Sequence, residues 1–349
     1  MNVEPAAQLT LVVPTFQRSR FLDRLLDYSE AVQLSFPILV VDSSEVADFG
    51  RNATRIAACR PPMRVKHLRF DCGLMEKMLH GVEKVATPYC AFWADDDFQL
   101  PEGLQACLRF LDENPDHASC MGQFVAVRRH EKHTEVDLET YPSREDASAA
   151  DRILRWSENF YSNFYAVYRT SVLLEMLRLV ATASCYERCR MIPEVLMGQT
   201  ALLLGRQRML GIPSIVYQMH DGNDSRLIPC IRDDVSFPED YRRYREAAAP
   251  MFAAAAGFSL AEADSLVDLS FRNIHRWTGG RWWLFKKLHK NIRRPWRRMY
   301  LRWDARRAVP QIARVIKQRI PETDDRLRAG SIAIALAAVA RHPNGKPQV

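Results

Sequence analysis

Short apolar runs alternate with amphipathic stretches through the first half of the chain, a rhythm that predicts βαβ units and a mainly parallel sheet. Leu9 to Val13 reads as a first buried strand. After "PTFQRS", Ser19 is placed to cap a helix whose Phe21, Leu22, Leu25 and Leu26 share one face. A second strand, Ile38 to Val41, stops on Asp42, and Val65 to Leu68 reads as a third. An amphipathic helix from about Leu74 to Val85 then leads to a fourth strand, Tyr89 to Ala94.

Further on, Pro101 to Asn114 predicts a helix stopped by Pro115, and Ser119 to Val127 another strand. Arg128 to Ala150 is polar and charged, which predicts a surface excursion. Two apolar helical blocks follow, around Ser171 to Val180 and Val195 to Leu204, before "RMLGIPSIVYQMHDGNDSR". From about Phe237 the pattern is helical and increasingly basic, which sets a domain boundary near residue 235.

Three of the four early strands end on polar residues: Thr15, Asp42, and the run Asp95 to Asp97. In open α/β sheets that edge is where ligands bind. Three consecutive aspartates at the end of a buried strand repel one another, and burial raises the cost, so something positive is expected beside them. Asp95 and Asp97 frame a D-x-D set, hard oxygen donors of the kind that hold Mg²⁺ or Mn²⁺ together with substrate phosphates. A solvated acidic turn is the plainer alternative, and the strand context argues against it.

Composition changes this picture little until the C-terminal third. The chain has 349 residues and is 47% hydrophobic, enough for a main domain of about 200 to 250 residues with an appendage. No basic segment followed by a long apolar one opens the sequence, and its longest weakly polar run, Ser331 to Ala340, is too short to span a bilayer, so a cytoplasmic location is expected. Eight cysteines lie scattered without paired zinc spacings; Cys185 and Cys189, four apart, would share a helix face but lack a matching second pair. The net charge of +7 is concentrated from Arg281 to Trp303, which carries no acid, and five of the seven tryptophans lie in or beside it. Such a stretch suits a helix on an anionic membrane surface first, a solvated tail second and nucleic acid third.

The order "LVVPTFQRSRFLDRLL", "ILVVDSS", a helix, then "TPYCAFWADDDFQLPEGL" resembles the nucleotide-sugar-binding half of family 2-like glycosyltransferases with the GT-A fold, a Rossmann-like α/β architecture. The resemblance covers residues 8 to 125 well and 126 to 235 more loosely, leaving 236 to 349 as a helical, basic, Trp-rich region. It implies that Pro14 and Thr15 line the nucleoside pocket and that Asp42 hydrogen-bonds the base, most often uracil. It further implies that Asp95 faces the ribose or diphosphate and that Asp97 is the principal metal ligand, with Asp96 assisting. Each residue also has a structural reading: Asp42 as a turn residue or helix cap, Pro14-Thr15 as a loop start.

Beyond the third strand the sequence departs from its relatives, with "DCGLMEKMLHGV" in place of a loop bearing Arg and Asn. Asp71 and Gly73 are still placed to border the base, and Lys77 either reaches a phosphate or sits on a helix surface. An inverting transferase needs a general base, and Glu194, after Pro193, lies about where relatives place it; it would equally favour a helix dipole. His220 and Asp221 offer a further metal or phosphate contact, or a structural histidine.

The resulting expectation is a metal-dependent, inverting transfer from a UDP-sugar to a glycan or lipid-linked acceptor, in polysaccharide or glycoconjugate synthesis, with the basic tail docked on the inner membrane face. A sugar nucleotidyltransferase would carry a glycine-rich basic loop after its first strand, and "VVPTFQRSR" has no glycine. A non-catalytic membrane- or nucleic-acid-binding protein is the remaining alternative.

Overall fold

The computed structural model describes residues 8–129, 134–183, 191–220, 237–279, 299–301 and 330–341. In chain order the first elements are β1 (Leu9–Thr15), α1 (Ser19–Ala31), β2 (Ile38–Asp42), α2 (Val46–Ala57), β3 (Val65–Arg69), α3 (Leu74–Val82), β4 (Tyr89–Phe92), β5 (Phe98–Gln99) and α4 (Pro101–Glu113). They continue with β6 (His117–Arg129), β7 (Thr134–Glu139), α5 (Ala149–Glu158), β8 (Val167–Arg169), α6 (Thr170–Ala183), α7 (Met191–Leu204) and β9 (Arg206–Met219). Helices α8 (Phe237–Ala256) and α9 (Leu260–Gly279), strand β10 (Met299–Leu301) and helix α10 (Gly330–Arg341) complete them.

The sheet runs β10-β7-β6-β8-β4-β1-β2-β3, with β9 against β6 and β5. Its half β4-β1-β2-β3 is parallel throughout, as the apolar runs predict. The other half is mixed: β8 lies antiparallel to both β4 and β6, β7 returns antiparallel along β6, and β9 runs parallel to β6. Only residues 130 to 133 separate β6 from β7, too few for the crossover that a parallel pair requires. The polar stretch read as a surface excursion therefore contains a strand, whose Val136 and Leu138 turn inward.

Period-2 alternation divides the strands between two cores. Leu9, Leu11, Val13, Ile38 and Val40 face α1, α4 and α10, whereas Val12, Leu39 and Val41 face a core shared by α3 and α5 to α9. Helices from both sides of residue 235 thus contribute to the same cores, and the boundary expected there falls outside the described residues. Cys185, Cys189 and most of 281 to 303 also fall outside them.

Two glycines allow the layers to close. A Cβ on Gly122 would meet the Ile212 carbonyl at 2.2 Å, so β6 and β9 approach there only because it has none, and one on Gly198 would strike the Trp156 ring at 2.2 Å. The β6–β9 register slips beside Gly122, which lets β9 run through Gly211 and Pro213 as one strand.

Candidate active site

The C-terminal ends of β1, β2 and β4 bring Thr15, Asp42 and the three aspartates to one edge of the sheet. The acidic turn is fixed from beneath. The Trp93 indole donates to the Asp97 carbonyl at 2.9 Å, and the buried Arg24 guanidinium donates to the Asp96 carbonyl at 2.6 Å and to Gln218. Desolvation lowers Arg24 to a pKa of about 10 despite the three nearby aspartates.

The three carboxylates face different partners. Asp95 accepts from the Thr15 hydroxyl at 2.8 Å and pairs with Arg18 Nη1 at 2.9 Å. Asp96 Oδ2 takes Arg18 Nη2 at 2.7 Å and lies 2.9 Å from His220 Nε2. Asp97 turns inward: its oxygens accept from the Tyr165 hydroxyl and, at 2.7 Å, from the Gln218 N–H, and it is 1% exposed. Burial therefore dominates Asp97 and, with the Asp96 charge, holds its pKa well above normal. Burial also raises Asp95, to about 6, against the pull of Arg18. At Asp96 the desolvation cost is outweighed by His220 and Arg18, and its pKa falls.

The positive charge that the sequence demands beside these acids is thus Arg18, in the loop between β1 and α1. Its guanidinium rests over the Phe21 ring, 4.3 Å from the centroid, and His220 stacks on that same ring at 5.3 Å. Neither Arg18 nor Phe21 stands out in the sequence as a site residue, because each partner lies on a distant segment.

Lys77 is 2% exposed, not a surface residue. From the first turn of α3 it donates to the Thr15 carbonyl at 2.6 Å and to Ser43 Oγ at 2.7 Å, tying the ends of β1 and β2 together. Asp42 is fully buried beside it. It accepts from the Ser44 N–H at 2.7 Å and from Asn52 Nδ2 at 2.8 Å, and lies 3.0 Å from His67 Nε2, so its pKa falls to about 2 in spite of desolvation. The His67 ring stacks on Phe49 at 4.3 Å.

Pro14 is half-buried opposite Val41, and Phe16, one residue past the end of β1, is 55% exposed at the mouth of the edge. Asp71 is exposed in the turn after β3, next to Phe70, whose N–H donates to the Asp42 carbonyl at 2.9 Å. Glu194 sits half-buried in the first turn of α7. Asp221 lies outside the described residues.

Among the described residues, no three His, Cys, Asp or Glu side chains are arranged to hold a metal ion by themselves. The donor chemistry nevertheless suits Mg²⁺ or Mn²⁺. Asp96 Oδ2, at hydrogen-bond distance from His220 Nε2, is a hard oxygen donor of the kind these ions take. The residues fit an ion shared with a substrate's phosphates, not a closed protein cage. Also among the described residues, no helix is long and apolar enough to cross a membrane.

The architecture is that of the GT-A glycosyltransferases. It matches a structure of S. aureus TarS residues 1–349 in complex with UDP-GlcNAc at a TM-score of 0.55 and 17% identity, over 96% of this chain and 87% of that one. The same TarS segment in complex with UDP matches at 0.52 and 14% identity, over the same shares. Against a further S. aureus TarS structure the TM-score is 0.52 at 17% identity; the match covers 77% of this chain but only 43% of that one. A comparison of the sequence with curated proteins finds no significant match.

Residues 10–177 match the sequence model described as glycosyl transferase family 2. That segment resembles the family 2 glycosyltransferases, and the match supports a glycosyltransferase.

Proposed function

We propose that the chain transfers a sugar from a UDP-sugar to a glycan or lipid-linked acceptor, with a divalent cation at the acidic turn and inversion at the anomeric carbon. The observation that carries this reading is the convergence of Thr15, Lys77, Asp95, Asp96, Arg18 and His220 on one strand edge, the position where open α/β sheets receive ligands. The UDP and UDP-GlcNAc in the TarS structures support uracil as the base.

In this reading the exposed face of Phe16 and the half-buried Pro14 flank the base. Asp42, expected from the resemblance to bond the base, is fully buried and spends its oxygens on Ser44, Asn52 and His67, so it shapes the base pocket from behind. Asp71 borders the base from the β3 turn, and Asp95 and Thr15 face the ribose. Asp96 and His220 would hold Mg²⁺ or Mn²⁺, which when bound neutralises the departing diphosphate. This gives Asp97, expected from the resemblance to be the principal ligand, the task of fixing the turn from within. Lys77 braces the pocket floor from below.

Glu194 takes the proton from the acceptor hydroxyl as its oxygen bonds to the anomeric carbon and the bond to the diphosphate breaks; the electron pair leaves with UDP. The basic, Trp-rich stretch 281 to 303 would bring the enzyme to an anionic membrane face on the cytoplasmic side, where lipid-linked acceptors lie.

A panel of UDP-sugars, assayed for UDP release with the product's anomeric configuration read by NMR, tests this. The expected result is release from one UDP-sugar with inversion, slowed by about 10²- to 10⁴-fold in Glu194→Gln with donor affinity unchanged. Release only from donors of another nucleotide, or a product of retained configuration, contradicts it.

A further inference from the structure

We propose that Arg18 is a built-in competitor for the divalent cation, holding the acidic turn closed to metal until a nucleotide diphosphate draws it away. The identity of that nucleotide rests on the reading above; the competition itself does not.

The geometry points to a shared atom. Arg18 presents two nitrogens to two different carboxylates, Nη1 to Asp95 Oδ1 at 2.9 Å and Nη2 to Asp96 Oδ2 at 2.7 Å. Asp96 Oδ2 is also the oxygen that lies 2.9 Å from His220 Nε2. The Asp96 oxygen nearer His220 is the one that Arg18 covers, and the positive guanidinium repels a dication at that distance. Both cannot sit there.

The two arginines of α1 and its approach differ in exposure. Arg24 is 2% exposed and bonded to the Asp96 carbonyl and Gln218, so it holds the turn's backbone. The Arg18 side chain is 33% exposed, and its guanidinium lies over Phe21 at the mouth of the edge. The long side chain can swing outward across that ring while the turn beneath stays fixed.

A diphosphate entering over Asp95 and Asp96 supplies what such a swing requires. Its oxygens give Arg18 a new anion with the same forked geometry, and they add the ligands that the two protein donors lack. Metal and nucleotide then bind cooperatively, and by linkage each raises the other's affinity by the same factor. A competitor that occupies the site most of the time lowers the apparent metal affinity by its own occupancy ratio.

The test is a Mn²⁺ titration of the full chain, followed by the loss of the free-ion EPR signal, with and without saturating UDP, on the wild type, Arg18→Gln and Arg18→Lys. Without nucleotide, Arg18→Gln is expected to bind Mn²⁺ about tenfold more tightly than the wild type, since a tenfold change corresponds to the loss of one modest charge-assisted contact. The enhancement by UDP is expected to shrink by the same factor in that variant.

Arg18→Lys keeps the charge but cannot bridge two carboxylates, so it should fall between them, and it carries the test if the glutamine variant does not fold. Equal nucleotide-free Mn²⁺ affinity in all three proteins overturns the proposal. Failure of UDP to bind any of them overturns the UDP assignment instead, while the nucleotide-free titrations still decide the role of Arg18.

Discussion

Two carboxylate clusters stand side by side on the same strand edge and are held in opposite ways. Around Asp42, at the end of β2, an N–H, a side-chain amide and an imidazole from one continuous part of the chain close over a fully buried carboxylate. Around Asp95 and Asp96, beyond β4, the partners come from both ends of the domain and include the partly exposed guanidinium of Arg18. The first cluster is satisfied by fixed donors and reads as architecture. The second is satisfied by a cation that a ligand can replace, which is what a binding site requires of its resting state. Burial alone does not separate them, since both are almost inaccessible; the nature of the partner does.

The sharpest way to break the comparison is Asp96→Asn. If the second cluster is the working one, sugar transfer falls by at least about 10³-fold while the thermal unfolding midpoint moves little, because Trp93 and Arg24 still hold the turn through its backbone. A variant that retains activity would place the chemistry elsewhere.

Lys77→Met probes the link between the clusters. Removing the two bonds from Lys77 to Thr15 and Ser43 is expected to cost about 1–3 kcal/mol by chemical denaturation and to weaken nucleotide binding as the ends of β1 and β2 part.

Asp42→Asn is set apart by a distinctive pH dependence. The carboxyl titrates at about 2 in the folded chain against an ordinary value of 3.8. Its ionised form therefore stabilises the fold above pH 3.8, by about 2 kcal/mol, and that contribution is lost as pH falls toward 2. The wild type should lose stability across this window while the asparagine variant stays flatter. A cluster that tolerates Asp42→Asn with no change in acid sensitivity would not be the closed one described here.

Much of this edge was legible in the sequence, for stated reasons. Strands β1, β2 and β4 are continuous apolar runs because both of their faces are covered, and the acids at their ends interrupt those runs visibly. Helix α2 carries Val46, Phe49, Ala53 and Ile56 at helical spacing, yet its one fully buried side chain is Asn52, a polar residue spent on Asp42, which no local pattern reveals. Strand β9 is hard to see in the sequence because Gly211 and Pro213 interrupt its apolar pattern, and the irregular pairing with β6 accommodates them.

Lys77 looks like a helix-surface residue because the groups it meets lie 62 and 34 positions away. His220 meets Asp96 across 124 residues. Local pattern reveals that a strand ends on acids; which charges answer them is settled by topology.

The most direct measurement is a calorimetric titration of the full chain with UDP, with and without Mn²⁺, alongside Asp96→Asn. The account predicts UDP binding that strengthens at least tenfold with Mn²⁺ in the wild type and loses that strengthening in the variant. UDP binding indifferent to Mn²⁺ and to Asp96 would contradict it.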